Sequence, residues 1–122
     1  MAKVLIIDDQ PEMRDIMRRS LELAGHEVAE ASDGSGGIAQ YRSAPADVVV
    51  TDILMPDSDG IELISSLRRV DPKVRILAIS GGCSAGRVDF LRMAMTLGAK
   101  ATLTKPFNTA QLQDRVAELL DS

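Results

Sequence analysis

Four short apolar runs in this chain each end at a polar residue capable of chemistry, and this repeated pattern limits the folds open to it. Residues 4–7 lead into Asp8 and Asp9, residues 48–51 into Asp52, residues 76–79 into Ser80, and residues 101–104 into Lys105. In an open parallel sheet the carboxyl ends of all strands lie along one edge, where ligands bind. We therefore expect three carboxylates, a hydroxyl and an ammonium to converge there.

Apolar residues at three- and four-residue spacing predict a helix after each strand. The predicted helices cover about residues 11–24, 35–42, 60–70, 85–97 and 109–120, and a short strand 2 covers residues 27–31. The apolar positions of helix 1 are Met13, Ile16, Met17, Leu21 and Ala24. Five alternations of strand and helix are typical of a parallel sheet covered on both faces. Near the start of helix 2 stand glycines 34, 36 and 37; each one inside a helix costs about 0.8–1 kcal/mol relative to alanine, and the sequence gives no reason for that weakness.

Length and composition indicate one globular domain over residues 1–122, with no effector domain visible. A net charge of -4, with one Tyr, two Phe and no Trp, argues against direct nucleic-acid binding. No apolar stretch approaches the roughly 20 residues that span a bilayer, and no signal-peptide core follows Met1. We expect a cytoplasmic protein without a membrane partner.

The acidic residues at two strand ends point to a metal. Asp8 and Asp9 follow strand 1, and strand 1 is expected to lie beside the strand that ends at Asp52. Carboxylates a few ångströms apart either raise one another's pKa or recruit a cation. Oxygen ligands without His or Cys favour a hard ion, Mg²⁺ before Mn²⁺ or Ca²⁺. The alternative interpretation is that Asp8 and Asp9 only cap helix 1.

Asp52 can act as a nucleophile toward phosphorus and form an aspartyl phosphate, provided that its charge is screened and the transferring group is held. Lys105 offers a positive charge and Ser80 a hydroxyl donor to a phosphoryl oxygen. Each of these two residues alone is more often a solvated lysine or a turn serine, so the hypothesis depends on their convergence.

These motifs together resemble the receiver domain of a bacterial two-component response regulator. The resemblance runs over the whole chain, through the strand ends above, the segment 52–56, the pair 59–60 and the segment 105–107. It implies a flavodoxin-like, doubly wound sheet of five parallel strands in the order 2-1-3-4-5 with five helices. It also implies a cis bond between Lys105 and Pro106.

The resemblance assigns roles to individual residues. Asp8, Asp9, Asp52 and the backbone carbonyl of Leu54 would hold Mg²⁺. Asp52 would accept a phosphoryl group from a sensor histidine kinase or a histidine phosphotransfer protein, Lys105 would bind the phosphate, and Ser80 would be the switch hydroxyl. The chain would catalyse only its own phosphorylation and dephosphorylation, and would not be an enzyme toward other substrates.

Two departures from the family bear on output. Thr102 stands where the family usually has a Tyr or Phe that moves with the switch hydroxyl, and Gly81 with Gly82 makes the loop after Ser80 unusually free. Helix 4 has an apolar arc of about 220°, roughly twice what a core needs. We expect part of it to stay exposed, so that helix 4, strand 5 and helix 5 bind a downstream protein or a second copy of the chain. The alternative is a helix 4 that is packed more deeply than usual against its neighbours.

Two other functions compete with this interpretation. Residues 57–60 resemble the acidic loop of haloacid-dehalogenase-type phosphatases, although the aspartates do not directly end an apolar strand. A phosphorylation-independent interaction module could also keep the same fold. Residues 34–39 match a dinucleotide fingerprint only weakly, and an EF-hand at residues 55–66 would lack its first and last ligands.

Overall fold

The chain forms a doubly wound α/β domain in a computed structural model that describes residues 2–55, 58–81 and 92–121, with the backbone alone for residues 54, 55, 58–61 and 81. The strands are β1 (Lys3–Ile7), β2 (Glu27–Ala31), β3 (Val48–Asp52), β4 (Ile76–Gly81) and β5 (Ala101–Lys105). The helices are α1 (Pro11–Leu23), α2 (Gly34–Ser43), α3 (Gly60–Val70), α4 (helical at residues 92–97) and α5 (Thr109–Leu120).

The five strands are parallel and lie in the order β2-β1-β3-β4-β5, which confirms the predicted topology. Strands β1 and β3 are neighbours although a whole βα unit separates them in the chain, so strand order reverses between them. Two further two-residue strands, Leu54–Met55 and Ser58–Asp59, pair antiparallel after β3. The predicted start of helix 4 and its residues 88–91 lie outside the described residues.

Alternate side chains of the strands enter two separate cores. On one face Val4 and Ile6 of β1 join residues of α1 and α5, including Met17 and Leu112. On the other face Leu5 and Ile7 join residues of α2 and α3. Burying a Leu or Ile side chain contributes about 1.5–3 kcal/mol. The two layers therefore hold the central strands β1, β3 and β4 in register from both sides.

The helix ends follow their local sequence. Asn108 accepts the Gln111 N–H while the Gln111 side chain accepts the Asn108 N–H, a capping box that fixes the start of α5. Gly25 and Gly98, both with positive φ, follow α1 and α4 as predicted. Within the described part of the chain, no helix is long and apolar enough to cross a membrane.

The prediction for the apolar face of α1 is only partly right. Met17 and Leu21 are fully buried, whereas Ile16 is 53% exposed and Ala24 is exposed at the end of the helix. The buried line runs through positions 13, 17 and 21, and Ile16 is rotated about 100° away from it. Ile16 therefore contributes to the surface of α1.

One of the glycines of α2, Gly37, has a packing explanation that could not be predicted from the sequence. Asp33 caps the helix through the Gly36 N–H, and glycines 34, 36 and 37 all lie within the helix and not in a loop. A Cβ on Gly37 would lie 2.4 Å from Ile7 Cδ1 and 2.8 Å from Ile7 Cγ1. Because Gly37 has no side chain, α2 can approach β1 closely at Ile7, the residue that precedes Asp8.

The α2–β1 contact yields a stability prediction. Gly37→Ala should lower the free energy of unfolding by up to about 2 kcal/mol, because overpacking costs about 1–3 kcal/mol and a helix-propensity gain of about 0.8–1 kcal/mol offsets only part of a clash this close. Urea unfolding measures this. Ala39→Gly, on the exposed side of the same helix, measures propensity alone. Ile7→Val should offset part of the Gly37→Ala loss, and a stabilised Gly37→Ala variant would contradict the close approach.

Candidate functional site

Strand pairing brings the predicted residues to one edge of the sheet. Ile7 of β1 lies opposite Thr51 of β3, so the next residues, Asp8 and Asp52, end adjacent strands. Asp52 in turn lies opposite Ile79 of β4, one residue before Ser80. The site is thus assembled at the point where strand order reverses.

Asp8, Asp9 and Asp52 form an acidic cluster in which each carboxylate offers one oxygen within 4.8 Å of the others. Asp8 is fully buried and Asp52 is 5% exposed, while Asp9 is half-buried. Burial raises the pKa of the Asp8 carboxyl above its ordinary value, and the charges of Asp52 and Asp9 add to that rise. The Gln10 N–H and the Lys105 ammonium oppose it.

Lys105 reaches this cluster from the end of β5. Its Nζ lies 3.0 Å from Asp52 Oδ2 and 3.6 Å from Asp8 Oδ2. The Lys105–Pro106 bond is cis, as the resemblance implied. One ammonium therefore stands between two carboxylates from different strands.

The loop after β1 is fixed by three hydrogen bonds. The Asp8 N–H donates to the Ala31 carbonyl at 3.1 Å, and Asp8 Oδ1 accepts the Gln10 N–H at 2.8 Å. Arg14 Nη1 of α1 donates to the Asp8 carbonyl oxygen at 2.7 Å. The sequence interpretation missed Gln10 and Arg14; an arginine in the first helical turn after an acidic strand end was the available signal.

Ser80 and Thr102 take different positions near the acidic cluster. Ser80 is fully buried near the end of β4, and its Oγ has no hydrogen-bond partner within the described residues. Thr102 is half-buried on β5 and lies opposite Ala78 of β4. Ser80 lies two residues closer to the carboxyl end of this strand pair, opposite Thr104. A buried hydroxyl without an acceptor is costly, which suits a group that meets its acceptor only in another state.

The oxygen ligands of the acidic cluster fit a hard divalent cation. Asp8 Oδ2 is buried and lacks a hydrogen-bond donor among the described residues, although Lys105 Nζ lies 3.6 Å away. Three carboxylates from the ends of two neighbouring strands face one another without His or Cys, and oxygen ligands of this kind suit Mg²⁺. The role of the Leu54 carbonyl stays a prediction.

The fold and this strand-end cluster together define a receiver-type phosphorylation module. The chain belongs to the response regulator receiver domain family, which its sequence matches over residues 4–117. Receiver domains act in phosphorylation signalling within two-component systems, where they interact with histidine kinases and downstream targets.

Similar proteins include both short and long relatives. The chain is 36% identical to the chemotaxis protein CheY of Thermotoga maritima, over 98% of this chain and 94% of that protein. It is 39% identical to the C4-dicarboxylate transport transcriptional regulatory protein DctD of Pseudomonas aeruginosa, over 98% of this chain but 25% of that protein. A receiver domain structure from Clostridium thermocellum superposes with a TM-score of 0.91 at 28% identity, covering 99% of this chain and 95% of the other.

The burial of Asp8 yields a pH prediction in metal-free protein. Because the folded pKa lies above the ordinary 3.8, the folded state holds more protons than the unfolded state between these two values, and stability falls as pH rises through that window. Asp8→Asn should therefore be more stable than the unmutated chain at pH 7, and this advantage should shrink as pH falls toward 3.8.

The measurement is urea unfolding in EDTA at several pH values, and Asp71 provides a control whose substitution should change stability in the opposite direction. The Tyr41 hydroxyl donates to Asp71 Oδ2 at 2.7 Å and holds the pKa of Asp71 below its ordinary value. Asp71→Asn should therefore be less stable than the unmutated chain at pH 7, with the deficit closing in acid. An Asp8→Asn variant less stable than the unmutated chain at pH 7 would contradict the Asp8 assignment.

Proposed function

We propose that this chain accepts a phosphoryl group on Asp52 from a histidine kinase or a histidine phosphotransfer protein, and that phosphorylation changes its binding to a downstream protein. The observation that carries the proposal is the convergence of Asp52 with two further carboxylates and with Lys105. Asp8, Asp9 and Asp52 would hold Mg²⁺, together with the Leu54 carbonyl. When bound, the ion would neutralise carboxylate charge and stabilise charge on the transferring phosphoryl oxygens.

The arrangement supports an in-line transfer. A carboxylate oxygen of Asp52 attacks phosphorus, the bond from phosphorus to the donor imidazole nitrogen breaks, and that nitrogen keeps the electron pair. Lys105 Nζ lies 3.0 Å from Asp52 Oδ2, so its charge is next to the acceptor and to the phosphoryl oxygens that arrive on it. The groups needed for such a transfer are positioned charges and hydrogen-bond donors.

Ser80 would respond to the product. Its buried Oγ has no acceptor within the described part of the chain, and it follows Ile79, the residue opposite Asp52. A phosphoryl oxygen on Asp52 would offer that hydroxyl a charged acceptor, and hydrogen bonds to charged groups contribute about 1.5–3 kcal/mol. Thr102 carries no ring to relay this movement to the surface, so we place the response in the described part of α4, residues 92–97.

The described part of α4 has an apolar surface available for a partner. Met93, Met95 and Leu97 are 48%, 47% and 38% exposed, whereas Ala94 between them is fully buried. These side chains lie on both sides of the Ala94 contact with the core and confirm that part of the predicted apolar arc stays exposed. Methionine suits adaptable binding surfaces, and α4, β5 and α5 form the proposed output face.

The first functional test is covalent labelling. Incubation with a small-molecule acyl phosphate and Mg²⁺ should give one hydroxylamine-sensitive phosphoryl group per chain, measured by intact mass. Asp52→Asn should abolish it, while Asp114→Asn, a change to an exposed aspartate of α5, should label normally. Sustained hydrolysis of phosphate esters would indicate a phosphatase instead, and no label would indicate a phosphorylation-independent module; either result contradicts the proposal.

The second functional test concerns output. Beryllofluoride with Mg²⁺, a stand-in for the phosphoryl group, should change self-association or binding to a candidate target, and amide exchange should change more at residues 92–97 than in α1. A Met93→Gln and Met95→Gln double variant should lose the association while keeping the label on Asp52. Identical exchange and association with and without beryllofluoride would remove α4 from the switch.

A further inference from the structure

Arg14 stands where simple helix electrostatics disfavours it. Its N–H donates to the Gln10 carbonyl at 3.0 Å near the first turn of α1, at the positive end of the helix dipole. Helical side chains point back toward the N-terminus, so the guanidinium reaches the loop that precedes the helix. Its side chain is only 19% exposed. An arginine at this position needs contacts that compensate the unfavourable helix dipole, and those contacts identify the groups that its side chain orients.

The compensating contacts are one carbonyl and one carboxylate. Arg14 Nη1 donates to the Asp8 carbonyl at 2.7 Å, and Arg14 Nε lies 3.6 Å from Glu30 Oε1 on β2. The Asp8 carbonyl belongs to the peptide unit that joins Asp8 to Asp9. Fixing that oxygen fixes the plane of the peptide, and with it the directions in which both aspartate side chains leave the backbone.

Asp9 depends on this backbone contact more than Asp8 does. Asp8 has its own carboxylate bond to the Gln10 N–H. Within residues 2–55, 58–81 and 92–121, the Asp9 carboxylate has no hydrogen-bond or ion-pair partner that could orient it. The direction of Asp9 therefore follows from the peptide plane that Arg14 holds.

We propose that Arg14 is a positioning residue for the acidic cluster: by holding the Asp8–Asp9 peptide, it presets Asp9 to bind a divalent cation. The cation itself rests on the function proposed above, whereas the positioning concerns this chain alone. The opposite effect of Arg14, repulsion of the cation by its positive charge, is reduced because Glu30 faces the guanidinium. Groups that orient metal ligands typically change metal affinity by 10–100-fold.

Arg18 provides a matched control one turn further along α1. Its Nε lies 3.5 Å from Glu30 Oε2, so it shares the same carboxylate, and it also pairs with Asp15 and Glu22. Its contacts include none with the Asp8 loop in the described structure. Arg14→Met and Arg18→Met each remove one guanidinium beside Glu30 and keep an alkyl stem, but only the first removes the bond to the Asp8 carbonyl.

The experiment measures Mg²⁺ binding by calorimetry, with urea unfolding in EDTA as the measure of stability. Arg14→Met should weaken Mg²⁺ affinity by about tenfold, Arg18→Met should leave it within about twofold, and Arg14→Lys should recover part of the loss. Asp9→Ala serves as the reference for a lost ligand. Unchanged or tighter binding in Arg14→Met, or equal losses in both Met variants, would overturn the proposal.

A readout without metal separates this proposal from the function on which it rests. Amide exchange at Asp8 and Gln10, whose N–H groups are hydrogen-bonded in the loop, should accelerate at least severalfold in metal-free Arg14→Met and not in Arg18→Met. If the unmutated chain does not bind Mg²⁺, the proposed function fails while accelerated exchange still supports positioning by Arg14. Unchanged exchange in Arg14→Met would overturn the positioning role even where Mg²⁺ binds.

Discussion

The placement of two buried carboxylates at the ends of neighbouring strands is the constraint on which the other features of this domain depend. Asp8 and Asp52 come together because β1 pairs with β3, and both are almost fully withdrawn from water. Such a pair is unfavourable without a cation, and Lys105 supplies only one charge against three aspartates. The site is thus under-neutralised by the described protein groups, which suits it to gain a metal ion.

This arrangement requires an accurate strand register. A slip of one residue would turn every side chain of β1 to the other face and carry Asp8 away from Asp52. The two cores prevent such a slip, because Val4 and Ile6 are buried on one face while Leu5 and Ile7 are buried on the other. Gly37 adds a close contact at Ile7, the last residue before the acidic loop. Ordinary hydrophobic packing therefore fixes the position of the charged groups.

The fold and the main site residues were predictable because strand ends determine both. Once the pattern shows parallel strands, Asp8, Asp52 and Lys105 must lie at one edge, whatever the details of packing. The contacts that could not be predicted depend on distances between elements: the reach of Arg14 to a backbone carbonyl, the approach of Gly37 to Ile7, and the exposure of Ile16. Periodicity indicates which residues share a face of a helix, but not how far the neighbouring element lies from that face.

The size of the available interactions limits how such a domain can switch. A hydrogen bond from Ser80 to a phosphoryl oxygen contributes about 1.5–3 kcal/mol, and each 1.4 kcal/mol is about tenfold in population. Reversing an equilibrium from 1:99 to 99:1 needs a change of about 10⁴-fold in the ratio of the two states, or roughly 5.5 kcal/mol.

Lys105 adds little free energy to the switch, because it already contacts Asp52 and Asp8 before phosphorylation and would exchange one anionic partner for another. With Thr102 in place of an aromatic ring, no large side chain at that position adds burial energy to either state. Under the proposed function, the Ser80 hydrogen bond alone would therefore shift the balance by about ten- to a hundredfold. The remaining free energy would then have to come from other contacts, of which binding of a partner to the exposed face of α4 is the one that we propose.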